Sequence, residues 1–446
     1  MMSQPTSIVV IGASLAGLST VRELRAAGYE GRVTVIGDEP HMPYDRPPLS
    51  KEYLTGEPSL ELAESDDIDA LQAEWVLGRA AVGVTSDSGG GHTVTLDDGT
   101  ALDADAVVLA TGARARSLPG WPSLPGVHTL RTVDDARALR GSLENAQRLV
   151  VVGAGFIGAE VASTAAGRGI DVTVVEMSTT PLVGILGEEV AAACTALHGL
   201  NGVTLLTGVS VSGVTGEDRV TGVLLDDGTE LAADVVVVGV GAVPNTEWLT
   251  HPEITIENGF RTDDSCRTGA PGVYAVGDCA TSFNVHLGAH HRSEHWTNAT
   301  QQARIVASAI LGTPQAPHAA PYFWSKQYGR QLQFAGHRQQ GDVVRFIDGD
   351  ASAASFVALY ERDGLATAVF SMDNPRLFTR HRKLIERQLA EQVAARTAAV
   401  NAAVHTAGLE AGAPSEELRG DLQSYEQGAI DADELVRRTA SRINAI

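Results

Sequence analysis

Two glycine-rich turns and one isolated lysine carry most of the chemistry that this chain can do. In LVVVGAGFIGAE, Gly153, Gly155 and Gly158 complete a G-x-G-x-x-G pattern behind an apolar run, and Glu176 closes the next apolar run. Glycine suits such a turn because the backbone must reverse sharply, approach a pyrophosphate closely and let the following helix pack near the strand, its N-terminus toward the phosphates. Glu176 is placed to accept hydrogen bonds from a ribose 2'-hydroxyl. A 2'-phosphate would meet a carboxylate there, and the following MSTT holds no Arg or Lys to offset it. The expected ligand of this unit is NADH rather than NADPH.

An earlier turn, IVVIGASLAGL, keeps Gly12 and Gly17 but has Ser14 where the middle glycine belongs. The serine Cβ crowds a pyrophosphate, while its hydroxyl could donate to one. The residues alone leave open a weakened dinucleotide site or a tight turn without a ligand. Asp38, just past the next apolar run, is the candidate ribose partner, with Glu39 beside it.

Lys51 lies in PYDRPPLSKEYL and is one of three lysines, with Lys326 and Lys383. Pro47 and Pro48 stiffen its loop. It reads either as a solvated surface cation or as an ammonium held toward a site. In GVYAVGDCA, Asp278 follows Gly277 at the end of an apolar run. It suits a helix N-cap and equally a carboxylate accepting the hydroxyl protons of a flavin ribityl chain, and the two can coexist. On residue type alone, Trp296 reads as core and Glu160 as an exposed helix acid near a positive helix N-terminus.

The elements that must position these residues repeat. Each glycine turn sits in a strand, turn, helix, strand grammar, and each copy is followed by a second shared phrase, TLDDGTALDADAVVLATGA at 95–113 and LLDDGTELAADVVVVGVGA at 224–242. Asp-Gly between extended runs predicts a hairpin, and the apolar run after it a buried strand. The fold class expected is α/β, with two Rossmann-like dinucleotide-binding domains. After residue 318, QLQFAG, DVVRFI, SFVALYER and LATAVFS predict an antiparallel meander closed by the helical RLFTRHRKLIERQLAEQVAA, a small α+β C-terminal domain. From 396 the chain reads as a helical or disordered tail.

Composition narrows the function classes. A chain of 446 residues that is 43% hydrophobic supports two to four domains. A net charge of -22 disfavours nucleic acid and acidic membrane surfaces as partners. No apolar run reaches transmembrane length, and the apolar start lacks the basic region of a signal peptide. The three cysteines, Cys194, Cys266 and Cys279, are unpaired in spacing, which fits a reducing cytoplasm and no metal site.

In order along residues 6–395, GASLAG, PYDRPPLSK, ATGA, LRT, GAGFIGAE, AVGDCA, EHWTNATQQA and YFWSKQY resemble the FAD-dependent, NADH-using ferredoxin reductases of bacterial oxygenase systems. The resemblance implies FAD on residues 1–112 and 243–318, NADH on 113–242, an interface domain at 319–395 that covers one side of the flavin, and a tail at 396–446. It implies Lys51, Glu160 and Trp296 as catalytic residues: Lys51 toward the flavin N5 edge, Glu160 near the nicotinamide, Trp296 against the isoalloxazine. The cofactor-binding set it implies is Gly12, Ser14, Leu15, Ala16, Gly17, Asp38, Lys51, Val82, Arg131, Gly153, Gly155, Ile157, Gly158, Glu176, Gly241, Asp278 and Trp296, with no metal. The implied reaction passes electrons from NADH through FAD to an iron-sulfur ferredoxin of the 2Fe-2S or 3Fe-4S type, which feeds a haem-thiolate monooxygenase or a Rieske dioxygenase. Trp324 with the basic run Arg376, Arg380, Arg382 and Lys383 reads either as a docking patch for that partner or as the solvated face of a helix, and the expected state is a monomer or weak dimer.

Three rivals share the grammar. A disulfide reductase needs paired cysteines beside the flavin, and this chain has none before Cys194. A rubredoxin reductase would use the same flavin chemistry. A redox-switch flavoprotein like apoptosis-inducing factor would share both nucleotide units.

Overall fold

Ile8, Val9, Val10 and Ile11 are all buried, and a strand buried on both faces needs cover on both sides. The computed structural model, which describes residues 4–314, 318–410 and 415–443, supplies that cover. Ser7–Ile11 lies at the centre of a parallel sheet ordered Val273–Ala275, Ala106–Leu109, Ser7–Ile11, Arg32–Gly37, Glu74–Leu77. Helices Leu15–Ala26 and Trp296–Leu311 pack on it through Leu18, Val21, Leu24, Ile305 and Val306. Complete burial of each such side chain is worth about 1.5–3 kcal/mol.

The second glycine turn heads a sheet of matching order: Thr204–Thr207, Asp171–Glu176, Arg148–Val152, Val235–Val238 and Val127–His128, again parallel throughout. Each sheet carries a three-stranded antiparallel annex, 81–104 and 211–232. The repeated Asp-Gly sits at the tight turn of each annex, Gly99 at φ +86° and Gly228 at φ +86°. The chain leaves the first sheet and returns along an antiparallel ribbon of Ala113–Ala115 with Ala242–Pro244.

Five strands form the C-terminal sheet, and every neighbouring pair is antiparallel. The expected simple meander is corrected here. Arg330–Gly336 pairs with Leu365–Met372 rather than with Val343–Asp348, which gives the order Tyr322–Gln327, Arg330–Gly336, Leu365–Met372, Phe356–Arg362, Val343–Asp348. One face packs Phe334, Phe356, Tyr360 and Phe370 against Val190, Ala191 and Cys194 of helix Glu188–Leu200. The other face takes Phe378 and Ile385 of helix Pro375–Glu410.

That helix runs through residue 396 without a break, because no glycine or proline falls between Pro375 and Gly408. The tail therefore starts inside a helix. Helices Glu416–Glu426 and Ala432–Ile443 follow, and Arg396 joins them to the body by donating to Val285 O at 2.9 Å and Glu426 O at 3.2 Å.

Candidate functional site

The two glycine turns meet the steric demands read from the sequence. A Cβ at Gly12, where φ is +127°, would lie 2.0 Å from the carbonyl oxygen of Ala110, and one at Gly153, φ +104°, would lie 2.4 Å from that of Gly239. Gly17 and Gly158 let their helices pass within reach of the Gly12 and Gly153 carbonyls. The middle position differs: a Cβ at Gly155 meets nothing within 4 Å. The protein itself thus tolerates a side chain at this place in the motif, which accounts for Ser14 in the first copy.

Both helices that follow are left uncapped. Leu15–Ala26 and Phe156–Gly167 have no side-chain cap and no acid in the first turn. Helix Val133–Leu143, by contrast, has Thr132 in a full capping box. Free N-terminal amides beside a closely approachable glycine turn fit a dinucleotide pyrophosphate. Leu15, Ala16 and Ile157 lie in these first turns, Ile157 exposed. Gly241, at φ +100°, also faces open space.

The carboxylates beside the turns are sorted by their bonds. Glu176 accepts from the backbone N–H groups of Ala154 and Ser178, both at 2.8 Å, so its head is fixed against the glycine turn with acceptor capacity left over. Glu39 is committed, taking Tyr44 OH at 2.5 Å and Arg46 Nη2 at 2.6 Å. Burial, with Glu39 adding to it against the pull of Arg46, raises the Tyr44 phenol above its ordinary value. Asp38 is exposed and accepts only from the neighbouring Glu39 N–H. Of the two acids, Asp38 is the one free to take a ribose.

Pro47–Ser50 forms a short 3-10 turn with the prolines at its start, and Lys51 follows. Its ammonium meets Glu160 Oε2 at 2.7 Å, the side chains 13% and 4% exposed. The surface reading of Lys51 and the exposed-helix reading of Glu160 are both corrected, because each buries the other's charge. Glu160 Oε2 also takes the Ser50 hydroxyl at 2.5 Å, while Oε1 takes the Ser325 hydroxyl at 2.7 Å and the Lys326 N–H at 3.3 Å.

Arg131 Nη2 donates to Asp278 Oδ2 at 2.6 Å, and its Nε is buried without a protein partner. Burial opposes the Arg131 charge, but Asp278 and its hydrogen bond, with Glu294 and Tyr44, outweigh burial and hold the guanidinium above its ordinary value. Trp296 opens its helix 37% exposed, which corrects the reading of it as core, and its indole N–H donates to Asp45 at 3.0 Å. Burial raises the Asp45 carboxyl, partly countered by that bond and by the Lys51 charge. Val82 stands exposed on Ala81–Ser86.

Sequence reasoning missed Ser50, Ser325 and Asp45. All three lie inside stretches already singled out, PYDRPPLSK and YFWSKQY, where the visible signal is that Ser50 and Ser325 each directly precede a lysine, Lys51 and Lys326. The cysteines are buried and free. Burial pushes the Cys194 thiol up to about 12 and raises Cys266 and Cys279, the opposite of a reactive thiol. Among the described residues no group of three or more His, Cys, Asp or Glu could hold a metal, and no helix is long and apolar enough to cross a membrane.

Two glycine turns with free helix amides, each with a carboxylate at the next strand end, and a buried cation joining the two halves define a two-nucleotide flavin oxidoreductase. The chain belongs to the pyridine nucleotide-disulphide oxidoreductase family, whose model matches residues 6–303. The reductase C-terminal model matches 322–408, and the antitoxin VbhA model matches the tail, 396–442. The chain is 40% identical over 393 residues to the chlorobenzene dioxygenase ferredoxin reductase component of Cupriavidus sp. (strain PS12), covering 86% of this chain and 93% of that one. It is 39% identical over 388 residues to the benzene 1,2-dioxygenase system ferredoxin–NAD(+) reductase subunit of Pseudomonas putida, with the same coverage. The solved covalent putidaredoxin reductase–putidaredoxin complex matches with a TM-score of 0.81 and 34% identity, over 86% of this chain and 93% of that one.

Proposed function

We propose that this protein carries electrons from NADH through FAD to an iron-sulfur ferredoxin that feeds a Rieske dioxygenase or a haem-thiolate monooxygenase. The observation that carries the reading is the Lys51–Glu160 pair, which ties the loop after the first nucleotide unit to the first helix of the second. Bound FAD supplies the chemistry no side chain has, accepting two electrons at once and releasing them singly.

The chain's own residues hold and select. Asp38 and the turn at Gly12–Gly17 hold one nucleotide, and Glu176 with Gly153–Gly158 holds the other and rejects a 2'-phosphate. Lys51 is a fixed ammonium in a dry setting, where a charge acts more strongly than in water. Arg131 and Asp278 form a second charged pair on the flavin side. No group acts as general acid or nucleophile. A strip of aromatic rings, Trp296 to Trp324 at 6.4 Å and Trp324 to Tyr322 at 5.7 Å, leads to Arg382, which lies 4.2 Å over Tyr322. Arg376, Arg380 and Lys383 are exposed at helical spacing beside it. That local basic face suits an acidic ferredoxin despite the acidic whole. The residues 1–112 with 243–318, 113–242 and 319–395 are the three working domains, in a cytoplasmic protein.

Anaerobic stopped-flow of the FAD-loaded protein tests the reading. Rapid bleaching by NADH but not NADPH, followed by reoxidation with a [2Fe-2S] ferredoxin, is expected. A reduced flavin that no ferredoxin discharges would overturn the electron-carrier assignment in favour of a redox switch.

A further inference from the structure

Glu160 divides its two oxygens between two parts of the chain. Oε2 serves the proline loop, taking Ser50 Oγ at 2.5 Å and Lys51 Nζ at 2.7 Å. Oε1 serves the C-terminal sheet, taking Ser325 Oγ at 2.7 Å and the Lys326 amide at 3.3 Å. Four donors on two oxygens satisfy a carboxylate fully, and Glu160 at 3%, Ser50 at 3% and Ser325 at 0% exposure leave no room for bulk water to substitute. Behind Ser325, the buried Gln327 donates to the same hydroxyl at 3.4 Å, which leaves the hydroxyl proton for Glu160.

We infer that Ser325 is a positioning residue for Lys51: by pinning Glu160 Oε1 from the C-terminal sheet, it fixes the orientation of the carboxylate whose other oxygen holds the active ammonium. The terminal carboxylate torsion of a glutamate is soft, so one strong bond on each oxygen is what fixes it. A hydrogen bond to a charged group is worth about 1.5–3 kcal/mol. Loss of the Ser325 bond leaves Oε1 with only the long amide contact. The carboxylate can then turn, and the ammonium follows it. The C-terminal sheet, which also meets the second glycine turn through Phe323 on Phe156 at 4.8 Å between ring centres, thereby tunes the site through Ser325.

The inference rests on the reductase reading, so the test separates the two. The reduction potential of bound FAD in the full-length Ser325→Ala protein is measured by dye-coupled titration, which needs no NADH, and reduction by NADH is followed separately. Expected for Ser325→Ala is a potential about 30 mV more negative, the equivalent of tenfold for a two-electron couple, and roughly tenfold slower reduction at saturating NADH with KM unchanged. Ser325→Thr, which keeps the hydroxyl, should restore both. Ser50→Ala, on the opposite oxygen, gives the same direction of change should Ser325→Ala fold poorly. A potential identical to wild type in both alanine variants would overturn the positioning role, whatever their thermal stability. A wild type that NADH does not reduce, with the potential shift intact, would overturn the reductase reading alone.

Discussion

The indole N–H of Trp296 donates to Asp45 Oδ1 at 3.0 Å across 251 positions of sequence. The bond joins the start of a helix late in the chain to the proline loop that carries Lys51, and Asp45 in turn feels the Lys51 charge. Asp45→Ala should release the indole. A shift in tryptophan emission and a loss of about 1 kcal/mol in unfolding free energy are expected, whereas Asp45→Asn, which keeps an acceptor, should stay near wild type in both.

Lys51→Met leaves the buried Glu160 charge without its cation. Breaking such a pair costs about 3–5 kcal/mol, and withdrawing a fixed charge from a dry site slows the step it stabilises by about 100-fold or more. The double change Lys51→Met with Glu160→Gln separates the effects. Thermal unfolding should recover toward wild type, while reduction by NADH should remain slow. Recovery of the rate as well would mean that Lys51 is only structural.

The glycine turns were legible because their demands are local: Gly12 and Gly153 hold positive φ against a neighbouring carbonyl, and only glycine does this freely. The paired acids were legible for the same reason, since spacing along one strand fixes them. The burial of Glu160 was not, because Ser50, Lys51 and Ser325 lie 110, 109 and 165 positions away. Strand order in the C-terminal sheet failed likewise. Alternation reveals that Arg330–Gly336 and Leu365–Met372 are strands but says nothing about their pairing. Trp296 read as core because residue type predicts average burial, while its place at a helix start beside Asp45 decides the actual exposure.

Ser14 and Gly12 should respond oppositely to substitution. Gly12→Ala drives a methyl against the Ala110 carbonyl in a backbone region that alanine avoids, and equilibrium binding should show FAD lost or the protein unfolded. Ser14→Gly clears ground that is already open at the matching Gly155. FAD should then bind as tightly as before or more tightly. Weaker binding would show that the Ser14 hydroxyl holds the pyrophosphate.

Glu176 should govern the choice of nicotinamide. Met177 beside it is exposed, so an arginine there can reach a 2'-phosphate without disturbing the core. The pair Glu176→Ser with Met177→Arg should shift the NADH to NADPH ratio of kcat/KM by tenfold or more toward NADPH, about 1.4 kcal/mol. An unchanged ratio would place the ribose away from this strand end.

His198 sets an acid limit on stability. It is buried at the contact of helix Glu188–Leu200 with the C-terminal sheet, its Nδ1 2.7 Å from the Tyr328 hydroxyl. Burial pushes it from the ordinary 6.5 down to about 4. The folded ring is therefore neutral between those values, while the unfolded ring binds a proton. Since the unfolded state holds more protons in this window, stability is complete above pH 6.5 and is lost as the pH falls toward 4. A shift of this size corresponds to about 3 kcal/mol. Thermal unfolding of wild type should decline across the window, and His198→Gln, which cannot titrate there and still offers Tyr328 an acceptor, should show a shallower decline. An unaltered slope in the variant would assign the acid sensitivity elsewhere, first to His295, which burial also lowers to about 4.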